Sequence, residues 1–153
     1  LWYKNNKTRN NIMKNKFLIV NANYYKDISS GLIENAKNFI PKKYNVKIID
    51  VPGVFEIPVT ISKNLKKFDA FIALGCVIKG ETPHFDLISQ ASTYAIMNLS
   101  ITSKKPVGNG IITCLNMKQA KERKHKGAEA VKAVLSVLNQ KWEPLLAHKT
   151  ILE

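Results

Sequence analysis

The chain has 153 residues, 45% of them hydrophobic, and a formal net charge of +13 at pH 7. This length and composition suit a globular domain with a hydrophobic core, and they exclude fibrous and disordered classes. The cations are almost all lysines, whereas recognition of bases and phosphates favours arginine, so we expect a solvated lysine-rich surface and no nucleic-acid partner.

The first 16 residues are polar and carry five cations and no acid. They lack the apolar segment of a secretory signal, and no apolar stretch of the chain reaches the roughly 18 residues of a transmembrane helix. These features predict a cytoplasmic protein with no membrane partner. Because Met13 shortly precedes the first apolar run, we expect residues 1–12 to be an N-terminal extension and residues 13–153 to form a single domain.

Short apolar runs alternate with amphipathic segments along the chain. Continuous apolar runs are typical of strands covered on both faces, and apolar residues at helical spacing are typical of helices. We expect Asp27 and Thr82 to cap helices, Pro83 to take a first helical position, and Gly127 to be a candidate break in the last helix. In chain order the patterns predict a strand at 17–20, a helix at 28–40, a strand at 46–51, a helix at 55–65, a strand at 69–77, a helix from 82 to about 99, a strand at 106–113 and a helix at 118–138.

Strands that alternate with helices predict an α/β fold, a three-layer α/β/α sandwich with a four-stranded parallel sheet. In such sheets ligands bind beyond the carboxyl ends of the strands. A site is therefore expected in the loops that follow the strands, at residues 21–27, 52–56, 78–85 and 114–117.

The loop after the third strand, Gly80-Glu81-Thr82-Pro83-His84, runs directly into a predicted helix. Backbone N–H groups and the partial positive charge of a helix N-terminus favour an anion such as phosphate at that place. The same charge opposes a second cation and so favours a neutral His84, which can donate or accept a proton. These residues alone fit equally well a capped helix that carries a surface histidine.

Other candidate residues also have two interpretations each. Tyr24 and Tyr25 follow the first strand, where an aromatic ring could stack on a planar heterocycle or pack under the loop. Glu56 could accept hydrogen bonds from a polyhydroxylated ligand or act as a favourable charge at a helix start. Arg123 could clamp a phosphate or belong to a solvated charge run. Cys76 and Cys114 lack metal-ligand spacing, and we expect them to be reduced, buried thiols.

Four ordered segments carry a family resemblance: VPGVFEIP (51–58), FDAFIALGCVIKGETPHFD (68–86), PVGNGIIT (106–113) and QAKERKHKGAEA (119–130). Together they resemble 6,7-dimethyl-8-ribityllumazine synthase, and the likeness covers nearly all of residues 17–140. It implies a flavodoxin-like fold and a transferase that uses no metal and no organic cofactor. Members of this family condense 5-amino-6-ribitylaminouracil with 3,4-dihydroxy-2-butanone 4-phosphate in the penultimate step of riboflavin biosynthesis.

The resemblance also implies a role for each candidate residue. His84 matches the family's proton-transfer histidine. Glu81 and Thr82 match its phosphate-binding loop, and Arg123 matches the arginine that reaches the phosphate. The other implied substrate contacts are Tyr24, which stacks on the pyrimidine, Val54, Phe55 and Glu56, which hold the ring and its ribityl chain, and Cys76, Val77 and Ile78, which line the ring.

Family members form pentamers, some of them assembled into larger shells, with each site between neighbouring subunits. The resemblance therefore implies a homo-oligomer in which the neighbour contributes Asn109, and it makes riboflavin synthase a candidate partner. The chain departs from the family pattern in three places. Tyr24 stands where Phe or Trp is usual, Asn109 stands where Phe is frequent, and the segment from Arg123 to Lys126 is shorter than in many relatives. A module that only binds flavin or RNA and an inactive shell protein are the alternatives to an enzyme.

Overall fold

The computed structural model describes residues 16–140 of the chain. The predicted extension at residues 1–12 and the predicted start at Met13 lie outside this described range, as does the end of the predicted domain, residues 141–153. The domain boundaries therefore stay predictions.

Four strands form one sheet in the order β2-β1-β3-β4. Every neighbouring pair is parallel. The strands are β1 (Lys16–Ala22), β2 (Asn45–Val51), β3 (Ala70–Ile78) and β4 (Val107–Cys114). The predicted four-stranded parallel sheet is thus confirmed, and the strand bounds agree within two residues at each end.

Helices cover both faces of this sheet. The helical elements within residues 16–140 are α1 (Lys26–Phe39), a 3-10 turn (Val54–Glu56), α2 (Ile57–Asn64), α3 (His84–Ser103), α4 (Met117–Glu122) and α5 (Lys126–Leu138). The predicted helix at 55–65 is therefore a 3-10 turn followed by a shorter α-helix, and α3 continues beyond its predicted end near residue 99.

Side chains that alternate along β1 fill two separate cores. Phe17 and Ile19 belong to the core that includes α1 and α5, whereas Leu18 and Val20 belong to the core that includes α2 and α3. All four side chains are fully buried. Successive residues of a strand point to opposite faces, so a continuous apolar run requires cover on both sides. The predicted three-layer α/β/α sandwich of the flavodoxin-like kind is confirmed.

Both predicted helix caps are wrong by a small shift in the helix start. α1 has Tyr25 at the N-cap position, so Asp27 lies inside the first turn, where its charge still complements the helix dipole. α3 has Pro83, not Thr82, at the N-cap position and no side-chain capping bond. A proline side chain has no hydrogen-bonding atom, so the first N–H groups of α3 receive no partner from that residue.

The last predicted helix is divided, but not at Gly127. α4 is capped by the Asn116 side chain, which accepts from the Gln119 N–H at 2.9 Å, and Arg123 is its C-cap residue. α5 begins at Lys126, so Gly127 lies within its first turn. A Cβ built at Gly127 would collide with the Leu32 carbonyl group of α1, which explains why a residue without a side chain is needed there.

Within residues 16–140, no helix combines the length and the apolar character that crossing a membrane requires.

Candidate active site

A cavity of about 320 Å³ opens at the carboxyl ends of β1 and β3. Its position is the one expected for ligand sites in parallel sheets. Seven of the predicted site residues line it together: Tyr24, Val54, Phe55, Cys76, Val77, Ile78 and His84. Residues from three of the four predicted loops therefore meet around one space.

The floor of the cavity is the end of β3 with the 3-10 turn packed against it. Cys76 and Val77 are buried, and they contribute to the two cores on opposite faces of the sheet. Just before them, a Cβ built at Gly75 would lie 2.9 Å from Val54 Cγ2 and 3.2 Å from Ala22 Cβ. The missing side chain of Gly75 thus allows Val54 and the rest of its turn to approach the strand.

Two exposed aromatic rings stand at the rim of the cavity. Tyr24 is 74% exposed and Phe55 is 77% exposed. The ring of Tyr25 packs edge-on against Tyr24, with 4.9 Å between the ring centroids. Burial, and to a lesser extent the neighbouring Tyr24 and Cys76 groups, raises the pKa of Tyr25. Tyr25 is therefore a neutral support at physiological pH, and it leaves the exposed face of Tyr24 for a flat ligand.

His84 is the first residue of α3, and it lines the cavity. Glu81 and Thr82 immediately precede the helix and are exposed. An anion beside this turn would meet unpaired backbone N–H groups and the ~+0.5 charge of the helix N-terminus. The arrangement can hold an anion next to an imidazole, although neither Glu81 nor Thr82 lines the cavity itself.

Arg123 lies at the carboxyl end of β4, where it ends α4. Its Nη1 donates to the Thr113 carbonyl oxygen at 3.3 Å, and its guanidinium lies beside the Cys114 thiol. The Lys79 N–H donates to the Cys114 carbonyl oxygen at 2.9 Å, which joins this end of β4 to the loop after β3. Arg123 is exposed, and it is not in the cavity wall.

Cys76 and Cys114 are buried free thiols, as predicted. Burial raises the pKa of Cys76 to about 12, and the contact with Cys114 adds to this rise. Burial also raises the pKa of Cys114, although the Arg123 guanidinium acts in the opposite direction. Both side chains are thus protonated at physiological pH, and they offer apolar surface in place of a nucleophile.

The structure does not bring Glu56 and Asn109 into the cavity. Glu56 lines an adjoining groove of about 470 Å³ between α2 and α3, which shares Phe55 and Ile88 with the cavity. Asn109 lies in the middle of β4, an edge strand, and is exposed. Its Oδ1 accepts from the Ile111 N–H at 3.1 Å. Within one protomer these two residues are therefore separate from the cavity.

Tyr25, a predicted stacking candidate beside Tyr24, also lines the cavity, whereas Gly53 and Ile88 were not predicted from the sequence. Ile88 follows His84 by four residues on α3, so helical spacing could have placed the two on one face. Gly53 belongs to the predicted loop 52–56. Within the described residues no group of three or more His, Cys, Asp and Glu side chains is arranged to hold a metal ion.

Comparison with known proteins identifies the family. The family model described as 6,7-dimethyl-8-ribityllumazine synthase matches residues 14–141. A protein of this name from Agrobacterium fabrum is 39% identical over 141 residues, covering 84% of this chain and 95% of the relative. One from Zymomonas mobilis is 39% identical over 134 residues, covering 82% and 96%. One from Campylobacter curvus is 39% identical over 137 residues, covering 82% and 88%. The chain belongs to the 6,7-dimethyl-8-ribityllumazine synthase family.

Proposed function

We propose that the chain condenses 5-amino-6-ribitylaminouracil with 3,4-dihydroxy-2-butanone 4-phosphate to give 6,7-dimethyl-8-ribityllumazine. Below, these substrates are called the aminouracil and the butanone phosphate. The observation that carries the proposal is the shared cavity, in which His84 lies with the exposed ring of Tyr24 and the wall formed by residues 76–78. This combination offers a surface for a flat heterocycle and a proton-transfer group at a helix N-terminus.

The reaction consists of one condensation, one elimination and one ring closure. The exocyclic amine of the aminouracil attacks the ketone carbon of the butanone phosphate, and loss of water gives an imine. Inorganic phosphate is then eliminated. The side chain closes onto the ribitylamino nitrogen, and a second water leaves. Each step moves protons between heteroatoms or carbon, so placement and acid–base groups matter more than a strong nucleophile.

The proposed roles follow from where each residue lies. His84 transfers protons within the cavity, and the exposed face of Tyr24 stacks on the pyrimidine ring. The α3 N-terminus, with Glu81 and Thr82, receives the phosphate, and Arg123 supplies its positive charge from the end of β4.

The remaining proposed contacts hold the aminouracil. Cys76, Val77 and Ile78 line its ring, because they form the cavity wall at the end of β3. Val54 and Phe55 of the adjacent 3-10 turn line the same cavity. Glu56, in the adjoining groove, accepts hydrogen bonds from ribityl hydroxyl groups. The cavity and the groove share Phe55 and Ile88, so one ligand can extend from one into the other.

We further infer that the chain forms a homo-oligomer. Exposed apolar side chains follow one stripe of α3: Leu87, Tyr94, Met97 and Ile101. The stripe adjoins the groove that Phe55 and Val59 line. A contiguous exposed apolar surface of this kind marks an interaction site. We assign it to further copies of this chain in a pentamer or a larger shell, in which Asn109 of one copy completes the site of the next. Riboflavin synthase is a candidate partner of that assembly.

The activity is tested by incubating the purified chain with both substrates and recording the absorbance of the lumazine product. We expect product only when both substrates and the native chain are present. Heat-denatured chain and reactions without one substrate are the controls. Binding of the aminouracil without any product would instead identify a module that binds but does not catalyse, and it would refute the proposal.

Sedimentation velocity tests the assembly. The wild-type chain is expected to sediment as a pentamer or larger, and Tyr94→Asp should shift it towards smaller species. Val137→Asp is a matched control, because Val137 is an exposed apolar residue on α5, away from the stripe. A monomeric wild-type chain at micromolar concentration would contradict the inference.

A further inference from the structure

The Arg123 side chain makes few contacts of its own that would fix its position. It is exposed, and its one recorded hydrogen bond within the described residues, to the Thr113 carbonyl oxygen, is 3.3 Å long. Its backbone is better fixed: the Arg123 N–H donates to the Ala120 carbonyl oxygen at 3.2 Å, and its carbonyl oxygen accepts from the Lys126 N–H at 3.0 Å. The direction of the guanidinium therefore depends on the turn between α4 and α5.

Lys124 anchors that turn on α1. The Lys124 side chain is half-buried and lies across Gly31, which is inside α1. A Cβ built at Gly31 would lie 2.9 Å from Lys124 Cγ and 3.1 Å from Cε, and it would be closer still to Cδ. The aliphatic stem of Lys124 thus occupies the space that any other residue at position 31 would fill.

A second close contact fixes the other end of the turn. Gly127 abuts the backbone of α1, where a built Cβ would meet the Leu32 carbonyl oxygen, with the carbonyl carbon 3.0 Å away. Gly31 and Leu32 are adjacent, so both contacts fall on the same turn of α1. The segment of three residues between α4 and α5 is therefore held on α1 through Lys124 and Gly127.

Lys126 is paired with a carboxylate of its own helix, α5. Lys126 Nζ donates to Glu129 Oε2 at 2.6 Å, and His125 lies 3.5 Å from the other oxygen of the same carboxylate. The Lys126 hydrogen bond lowers the pKa of Glu129. Lys126 thus has its own partner on α5, which leaves Arg123 as the cation of this turn that lies next to the end of β4.

We propose that Gly31 and Lys124 are positioning residues for Arg123, and that the Lys124 stem on Gly31 sets the direction of the guanidinium towards the bound phosphate. The proposal rests on the proposed function, because it takes Arg123 as the phosphate ligand. Neither residue contacts substrate in this account. Moving the Lys124 stem off Gly31 removes one of the two contacts that hold the turn on α1 and so loosens the residue directly before Lys124.

The first test is Gly31→Ala. We expect the KM for the butanone phosphate to rise roughly tenfold, because displacing a binding group by about 1 Å is enough for such a loss. The KM for the aminouracil should stay the same. Alanine favours a helix over glycine by up to about 1 kcal/mol, which offsets part of the cost of displacing the stem, so the variant should remain folded, and its thermal unfolding is measured alongside. Ser30→Ala, at the exposed neighbouring position of α1, is the matched control and should leave both KM values unchanged.

Two Lys124 variants distinguish the effect of the aliphatic stem from that of the charged ammonium group. Lys124→Met keeps an unbranched stem and should behave as the wild type, whereas Lys124→Ala should raise the KM for the butanone phosphate. The double variant Gly31→Ala/Lys124→Ala should be no worse than the worse single variant, because both act on one contact. If Lys124→Met were as impaired as Lys124→Ala, the ammonium group would be what matters, and the positioning role would be overturned.

Arg123→Ala distinguishes failure of this inference from failure of the proposed site. If Arg123→Ala raises the KM for the butanone phosphate and Gly31→Ala does not, the positioning role is wrong and the phosphate ligand stands. If Arg123→Ala leaves that KM unchanged, Arg123 is not the phosphate ligand, and the positioning role of Gly31 and Lys124 is then wrong as well.

Discussion

The Cys76 side chain, in the cavity wall at the end of β3, lies beside the Cys114 side chain of β4. Cys114 pairs in register with Ile78, so the two cysteines lie on the same face of adjacent strands, displaced by two residues. Burial is the main reason that both pKa values are raised. The site therefore rests on a pair of thiols that stay neutral.

The first prediction concerns stability at high pH. The pKa of Cys76 rises from 9.0 to about 12 on folding, so the folded chain keeps a proton that the unfolded chain loses. The stabilisation is complete below pH 9 and is lost as the pH rises towards 12. The free energy of unfolding of the wild type should fall relative to that of Cys76→Ala over this range, by up to about 1.4 kcal/mol per pH unit.

Urea denaturation of both proteins from pH 8 upwards measures this difference. Lysines also titrate at these pH values, but they are common to both proteins, so the difference isolates the thiol. Equal losses in the wild type and in Cys76→Ala would contradict the account of a buried, neutral Cys76.

The second prediction concerns Lys105, whose ammonium group closes the C-terminal end of α2. Its Nζ donates to the carbonyl oxygens of Leu65 and Phe68, the latter at 2.8 Å. Carbonyl groups at a helix end lack partners within the helix. Lys105→Met keeps the stem and removes the donor, so it should destabilise the chain by about 1.5–3 kcal/mol, the range for hydrogen bonds to charged groups.

Chemical denaturation checks this loss, with Lys104→Met as the control. Lys104 is the exposed neighbour of Lys105, and a change there should alter the free energy of unfolding by less than about 0.5 kcal/mol. Equal changes in the free energy of unfolding for the two substitutions would mean that the hydrogen bonds of Lys105 do not stabilise the chain.

The third prediction concerns Tyr24, whose exposed ring lines the cavity. If its ring stacks on the pyrimidine, Tyr24→Phe should leave the Kd for the aminouracil within about twofold. Tyr24→Ala should raise that Kd roughly fivefold or more, because stacking a base on an aromatic side chain contributes about 1–3 kcal/mol. A titration that monitors the absorbance of the bound aminouracil measures both constants. A large rise in the Kd for the aminouracil in Tyr24→Phe would instead show that the hydroxyl group makes the essential contact.

The sheet and the position of the site could be predicted because local sequence determines both. The run Phe71-Ile72-Ala73-Leu74 is buried throughout, so its unbroken apolar character correctly indicated a central strand. Once the strands are parallel, their carboxyl ends must share one edge, and His84, Tyr24 and Val54 follow three of those ends. The sequence therefore correctly predicts that these three residues line one cavity.

Details that depend on contacts between distant segments were not predictable in the same way. Helix propensity makes Gly127 a candidate break in the last helix, but the residue lies within α5, where α1 passes too close for a side chain. Likewise, nothing in the local sequence relates Gly31 to Lys124, which are brought together only by the packing of α1 against the end of α4. The predicted role of Asn109 depends on a neighbouring subunit, so it does not follow from contacts within one chain.

The most direct test of the account is kcat/KM for lumazine formation across pH, measured for the wild type and for His84→Ala. His84, which lines the cavity together with Tyr24, is the proposed proton-transfer group. For His84→Ala we predict that kcat/KM falls roughly tenfold or somewhat more. This loss lies at or below the lower end of the range for general acid–base catalysis, and the Kd for the aminouracil should stay unchanged. A His84→Ala variant that retained the full wild-type kcat/KM at every pH would contradict the claim.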